Sequence, residues 1–185
     1  MIVLGLDIST SVTAYTVMDT ELSLGQRLVK SDGIHISKIK DPYAKACEVR
    51  RHLVDLFSRF KIKKIIVEES LQSFRAGFSS AKTLSALTRF NGVVSFMAQD
   101  IFQCDLERIN VNSARSRLGI KIDRKSSISS KEQVRDWVMM HEDFKSFSWP
   151  TKTLSRGPRR GQTIYDVSCQ DIADSAVMAL CVFDH

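Results

Sequence analysis

Four carboxylates stand in places where an acid is unusual. Asp7 closes the apolar run Ile2-Val-Leu-Gly-Leu6, and Glu68 closes Ile65-Ile-Val67. A charged group at the end of a buried strand needs a partner or a cation. Asp171 and Asp174 are three residues apart, so a helix sets them on one face. Three of the acids also have a local alternative. Asp7 fits a turn-capping role, Asp171 completes a capping box with Ser168, and Asp174 fits a solvated helix face. Converging on one place, the four would repel strongly unless a cation sat among them. Hard oxygen ligands suit Mg²⁺ or Mn²⁺. Two such ions about 4 Å apart can activate a water and stabilise the leaving oxygen of a phosphodiester.

The charge balance points the same way. The 185 residues carry a net charge of +6, unevenly placed. Between Arg108 and Arg160 there are thirteen Lys/Arg against five Asp/Glu. The rest of the chain is slightly acidic. A contiguous basic half suggests a polyanion partner, with a generic solvated surface as the alternative. Acids and basic half together imply metal-dependent cleavage of nucleic acid. The length and a hydrophobic fraction of 43% suit one domain with a proper core. No apolar run reaches membrane-spanning length, and the first residues do not read as a signal peptide. Cys47, Cys104, Cys169 and Cys181 are scattered, which suits reduced thiols and a cytoplasmic location.

The elements that must carry the acids follow from periodicity. Residues 2–6 and 12–18 read as two strands of a hairpin, and residues 26–36 as a third. Asp41-Pro42 opens a helix with apolar positions Ala46, Val49, Leu53, Leu56, Phe57 and Phe60. The strand ending at Glu68 is apolar on both faces, so its parity cannot choose between Glu68 and Glu69. A long helix spans about 80–102, with Leu84, Leu87, Val94, Phe96 and Met97 as apolar positions. Gly92 and small neighbours leave room there for another helix. A weak strand covers 105–111, and a short helix runs from Asn112 to Gly119. Residues 121–130 read as a basic loop. Ser129 or Ser130, with Glu132 or Gln133, caps a further helix. Residues 141–163 show no period and read as a long loop or flexible insertion. The last helix starts at Ser168. This order predicts a single α/β domain over residues 1–185, a mixed sheet with three antiparallel strands followed by parallel ones, flanked by helices.

Leu4-Gly-Leu-Asp7, Ile66-Val-Glu68 and Asp171-Ile-Ala-Asp174-Ser-Ala, in that order, resemble the RuvC-like Holliday junction resolvases of the ribonuclease H-like superfamily. The resemblance covers nearly the whole chain. It implies a ribonuclease H-like fold, a four-acid site of Asp7, Glu68, Asp171 and Asp174, two Mg²⁺ ions (Mn²⁺ substituting), and a homodimer formed through the long helix. It implies paired nicks across a four-way DNA junction, leaving 5′-phosphate ends. Lys131 matches the family's basic residue near the site. Phe74 or Phe78 matches an aromatic that unstacks a base at the junction. Arg115, Arg117, Lys121, Arg124, Lys125, Arg156, Arg159 and Arg160 are the expected DNA contacts.

Three features depart from the family pattern. Asp7-Ile-Ser-Thr stands where bacterial members usually have Asp-Pro-Gly. Glu69 adjoins Glu68. Residues 141–166 are longer and more basic, with Arg156-Gly-Pro-Arg-Arg160 as a candidate DNA-contacting arm. Asp166 reads as a strand-end or loop residue. The other readings are a ribonuclease H-type or general debranching nuclease, and a non-catalytic junction-binding module. Leu4-Gly-Leu-Asp-Ile-Ser-Thr10 also resembles the phosphate loop of sugar kinases and actin-like ATPases. Those need two such domains and a second glycine-rich loop, which 185 residues with eight glycines do not supply.

Overall fold

The structure, a computed structural model, describes residues 1–69 and 81–183. Phe74 and Phe78 lie outside the described residues. A five-stranded sheet forms the centre, in the order β3-β2-β1-β4-β5, from β1 (Ile2–Asp7), β2 (Val12–Asp19), β3 (Leu28–His35), β4 (Ile62–Glu68) and β5 (Asp105–Ile109). The first three strands pair antiparallel, and β1-β4 and β4-β5 pair parallel. The predicted mixed sheet is therefore the observed one. The β1-β2 hairpin turn is held by Ser9, whose Oγ accepts the amides of Ser11 and Val12 and donates to the Val12 carbonyl. Lys45 Nζ donates to the Thr10 carbonyl and ties this turn to the next helix.

Helices cover both faces, as parallel strands buried on both sides require. On one face lie α1 (Pro42–Arg59) and α2 (Ala81–Phe102), packed on Leu4, Leu6, Tyr15, Val17, Ile65 and Val67. Asp41 caps α1 by accepting the Ala44 amide, and Pro42 needs no amide partner there. Phe96, read as an apolar position of α2, points outward and is 69% exposed. On the other face lie α3 (Val111–Arg117), α4 (Ser130–Met140) and α5 (Ser168–Leu180), packed on Val3, Met18 and Ile66. Ser129 and Glu132 form the capping box of α4.

Helix α5 crosses β1 at Gly5. A Cβ on Gly5 would meet the Ser175 carbonyl oxygen at 2.3 Å and the Ala179 amide at 2.5 Å. Only glycine allows this approach. Under the crossing, Ser175 Oγ bonds Thr16 Oγ1 at 2.8 Å, and Thr16 bonds Ser31 Oγ at 2.7 Å. These buried hydroxyls satisfy one another.

Two expectations are corrected here. Asp171 does not cap α5. The N-cap is Val167, which makes no side-chain cap bond, and Asp166 just ahead of it accepts the Ser168 amide at 2.9 Å and its hydroxyl at 2.8 Å. With its amide and hydroxyl both held by Asp166, Ser168 is not available for a capping box with Asp171. The segment 141–163 is also more ordered than its lack of period suggested. Glu142–Phe144 form a 3-10 turn, and Phe144 is buried among Phe147, Trp149 and His141. Asp143, 1% exposed, accepts from the Gly25 and Arg27 amides and from the Arg27 guanidinium. Then β6 (Thr151–Thr153) and β7 (Thr163–Tyr165) pair as a separate antiparallel hairpin. A small aromatic cluster carries no helical or strand period, so periodicity could not announce it.

Candidate active site

Strand register sets the first two acids side by side. Leu6 of β1 is level with Val67 of parallel β4, so the residues that follow, Asp7 and Glu68, emerge together at the same edge. Side chains alternate between faces along a strand. Val3, Gly5 and Asp7 face α5, while Leu4 and Leu6 face α1 and α2. On β4, Ile66 and Glu68 share the α5 face, while Ile65 and Val67 take the other. Glu68 thus turns toward α5, and Glu69 falls on the opposite parity, its amide donating to the Ile109 carbonyl at 2.9 Å. Asn91, a buried polar residue of α2, donates to the Glu68 carbonyl at 3.3 Å and steadies the strand end. Nothing in the sequence singled it out beyond its place on an apolar helix.

The Gly5 crossing lays the first turns of α5 over this edge. Asp7, Glu68 and Asp174 each offer a carboxylate oxygen, all within 4.8 Å of one another. Asp174 is 3% exposed. Asp171 lies one turn earlier and stands outside that trio. Lys131, at the start of α4, bridges the two helical acids, with Nζ 3.6 Å from Asp171 Oδ1 and 3.8 Å from Asp174 Oδ2. Arg115 of α3 reaches Asp174 Oδ1 at 3.3 Å, and its Nε is buried with no hydrogen-bond partner among the described residues. Sequence reading placed Arg115 among general DNA contacts. In the fold it sits at the acidic cluster, and no local signal separated it from the other arginines nearby.

Burial and mutual repulsion govern the charges. Burial lifts Asp7 well above the usual carboxylate range, and Glu68, Asp174 and Asp171 raise it further. Burial and then Asp174 lift Glu68 to about 7, against the pull of Arg115 and Lys131. Asp171 and Asp174 are raised by burial, with Lys131 opposing in both. Burial works against the charge of Lys131, but the surrounding acids more than offset it and hold its pKa above the ordinary lysine value. Such a cluster of hard oxygen donors, short of positive charge, fits a hard divalent cation. Asp7, Glu68 and Asp174 could hold it directly, with Asp171 beside them.

Arg117, Lys121, Arg124 and Lys125 are exposed, on and after α3, with Arg117 3.6 Å from Glu107. Arg156, Arg159 and Arg160 are exposed between β6 and β7. No helix among the described residues is long and apolar enough to cross a membrane.

No protein-family model matches the sequence, and no curated protein sequence matches it either. Solved structures do. A Thermus thermophilus RuvC in complex with Holliday junction substrate is similar with a TM-score of 0.65 at 16% identity, over 98% of this chain and 92% of that one. The yeast mitochondrial Holliday junction resolvase Ydc2 is similar with a TM-score of 0.55 at 17% identity, over 97% of this chain and 76% of that one. A fowlpox virus resolvase in complex with Holliday junction DNA gives 0.50 at 16% identity, over 98% and 96%. With its strand order, its register and these neighbours, the chain has the ribonuclease H-like fold of the RuvC-type Holliday junction resolvases.

Proposed function

We propose that the protein is a Mg²⁺-dependent endonuclease that resolves four-way DNA junctions by paired nicks. The convergence of Asp7, Glu68 and Asp174 at one sheet edge carries the reading. Three elements distant in sequence deliver acids to one point, Asp174 buried and Asp7 and Glu68 half-buried, at a cost that structural capping does not require. Asp7, Glu68 and Asp174 would hold the metal, with Asp171 completing the set. Mg²⁺ bound there would supply an activated water and charge stabilisation for the leaving oxygen, giving 5′-phosphate ends.

The chain's own residues do the rest. Lys131, half exposed above the acids, is placed to hold the scissile phosphate. Arg115 braces Asp174 and sets its orientation. Arg117, Lys121, Arg124 and Lys125 extend the positive surface along the phosphodiester backbone. Phe74 or Phe78, which follow Glu68 in the chain, would stack on a base at the branch point. Two nicks need two sites, which a homodimer through the exposed α2 residues Val93 and Phe96 would provide.

The deciding test is a nicking assay on a synthetic four-way junction, wild type beside Asp7→Asn. The wild type is expected to give Mg²⁺-dependent nicks on opposed strands. Asp7→Asn is expected to keep structure-selective binding and to lose cutting by on the order of 10²-fold or more. Undiminished cutting by the variant would sink the site assignment. Faster cutting of an RNA–DNA hybrid than of the junction would overturn the substrate assignment in favour of a ribonuclease H-type enzyme.

A further inference from the structure

The β6-β7 hairpin is a built projection whose place in the fold nothing in the four-acid site requires. Its strands pair Thr151 with Tyr165 and Thr153 with Thr163. Its tip is closed by two backbone bonds, the Leu154 amide to the Gln162 carbonyl and the Gly161 amide to the Leu154 carbonyl. Gly157 and Gly161 turn the chain at φ of +79° and +87°. At and between these glycines the tip displays Arg156, just before Gly157, and Arg159 and Arg160, all exposed and none in an ion pair among the described residues. Residues 151–163 contain no acid. The fourth cation, Lys152, is held at the base by Asp166 at 3.4 Å.

The base is anchored to the elements that carry the candidate site. The Asp166 amide donates to the Pro150 carbonyl, and the Asp166 carboxylate holds Ser168, the first residue of α5, which bears Asp171 and Asp174. The Arg135 guanidinium of α4 lies 5.5 Å from the centre of the Tyr165 ring. Arg135 is one turn from Lys131, on the same side of α4. One helix face thus holds both the acids and the hairpin. Trp149, at the entry to β6, packs on Phe144 and Phe147. The arm is pre-ordered at its root and bare at its tip.

We infer that this hairpin is a DNA-gripping arm, whose three tip arginines hold the phosphate backbone of the duplex leading to the cut, without reading sequence. Charge without acids or apolar anchors is what backbone contact needs. The inference rests on the nuclease reading for its substrate, but it is tested separately by binding.

The probes are fluorescein-labelled four-way junctions of two unrelated sequences, titrated without divalent metal across a range of salt. Arg156→Gln/Arg159→Gln/Arg160→Gln is expected to flatten the log Kd against log salt slope by about two to three, close to one per lost phosphate contact, on both sequences. The matching Arg→Lys triple variant is expected to keep the wild-type slope. An unchanged slope in the Gln variant overturns the arm, as does equal loss in the Lys variant. A loss confined to one sequence overturns the backbone assignment. Wild-type protein that binds with the expected slope but never nicks the junction would sink the nuclease reading and leave the arm standing.

Discussion

At the scale of residues, the carboxyls of Asp7 and Glu68 are held protonated more readily than free ones. Their folded pKa values lie above their ordinary values, with Glu68 moved from 4.5 to about 7. A raised acid binds more protons folded than unfolded, so stability falls as pH rises through this window. The metal-free protein is therefore expected to melt at a lower temperature at pH 8 than at pH 5.5, by calorimetry in the presence of a chelator. Millimolar Mg²⁺ should restore the loss at pH 8, because a cation bound only by the folded state stabilises it. Asp7→Asn removes a half-buried charge without changing shape. It should raise the melting temperature at pH 8 without metal and blunt the response to Mg²⁺. A melting temperature independent of pH and of Mg²⁺ would contradict the repulsive cluster.

The elements owe their placement to one small residue. The Gly5 crossing brings α5 onto β1, and that approach carries Asp174 to Asp7. Gly5→Ala forces a methyl against helix backbone, where no side chain can rotate away. Overpacking of this kind costs about 2–3 kcal/mol, or roughly 4–12 °C in melting temperature for a domain of this size. The shift of α5 should also weaken the Mg²⁺-induced stabilisation, which a remote core defect would leave alone. Isothermal titration with Mg²⁺ on the folded variant checks this, and unchanged affinity would argue against α5 as the positioning element.

For the whole molecule, the open question of assembly falls on α2. Gly92, Val93 and Phe96 form an outward strip, and among the described residues nothing lies within 4 Å of the place a Gly92 Cβ would occupy. Phe96→Glu is expected to convert the proposed homodimer to a monomer in light scattering while leaving the far-ultraviolet dichroism unchanged. Paired nicking in one encounter should then give way to single nicks. A variant that stays dimeric would move the interface elsewhere.

Much of this was legible before any coordinates. Three antiparallel strands, the alternation that follows, and an acid closing each of two apolar runs are local patterns, set by side-chain period and turn chemistry. A serine cap on α4 was legible for the same reason, and the fold chose Ser129 with Glu132 over Ser130 with Gln133. The choice of Glu68 over Glu69 was not, because a strand apolar on both faces has no readable parity. Only the α5 side of the sheet, defined by Gly5 and Ile66, decides it. Arg115 and Asn91 were hidden likewise, since each gains its role from a residue at least twenty positions away. The sequence by itself determined which acids exist and the elements that bear them. The tertiary structure decided which face they share and what surrounds them, because register and helix crossing are properties of chain segments in contact.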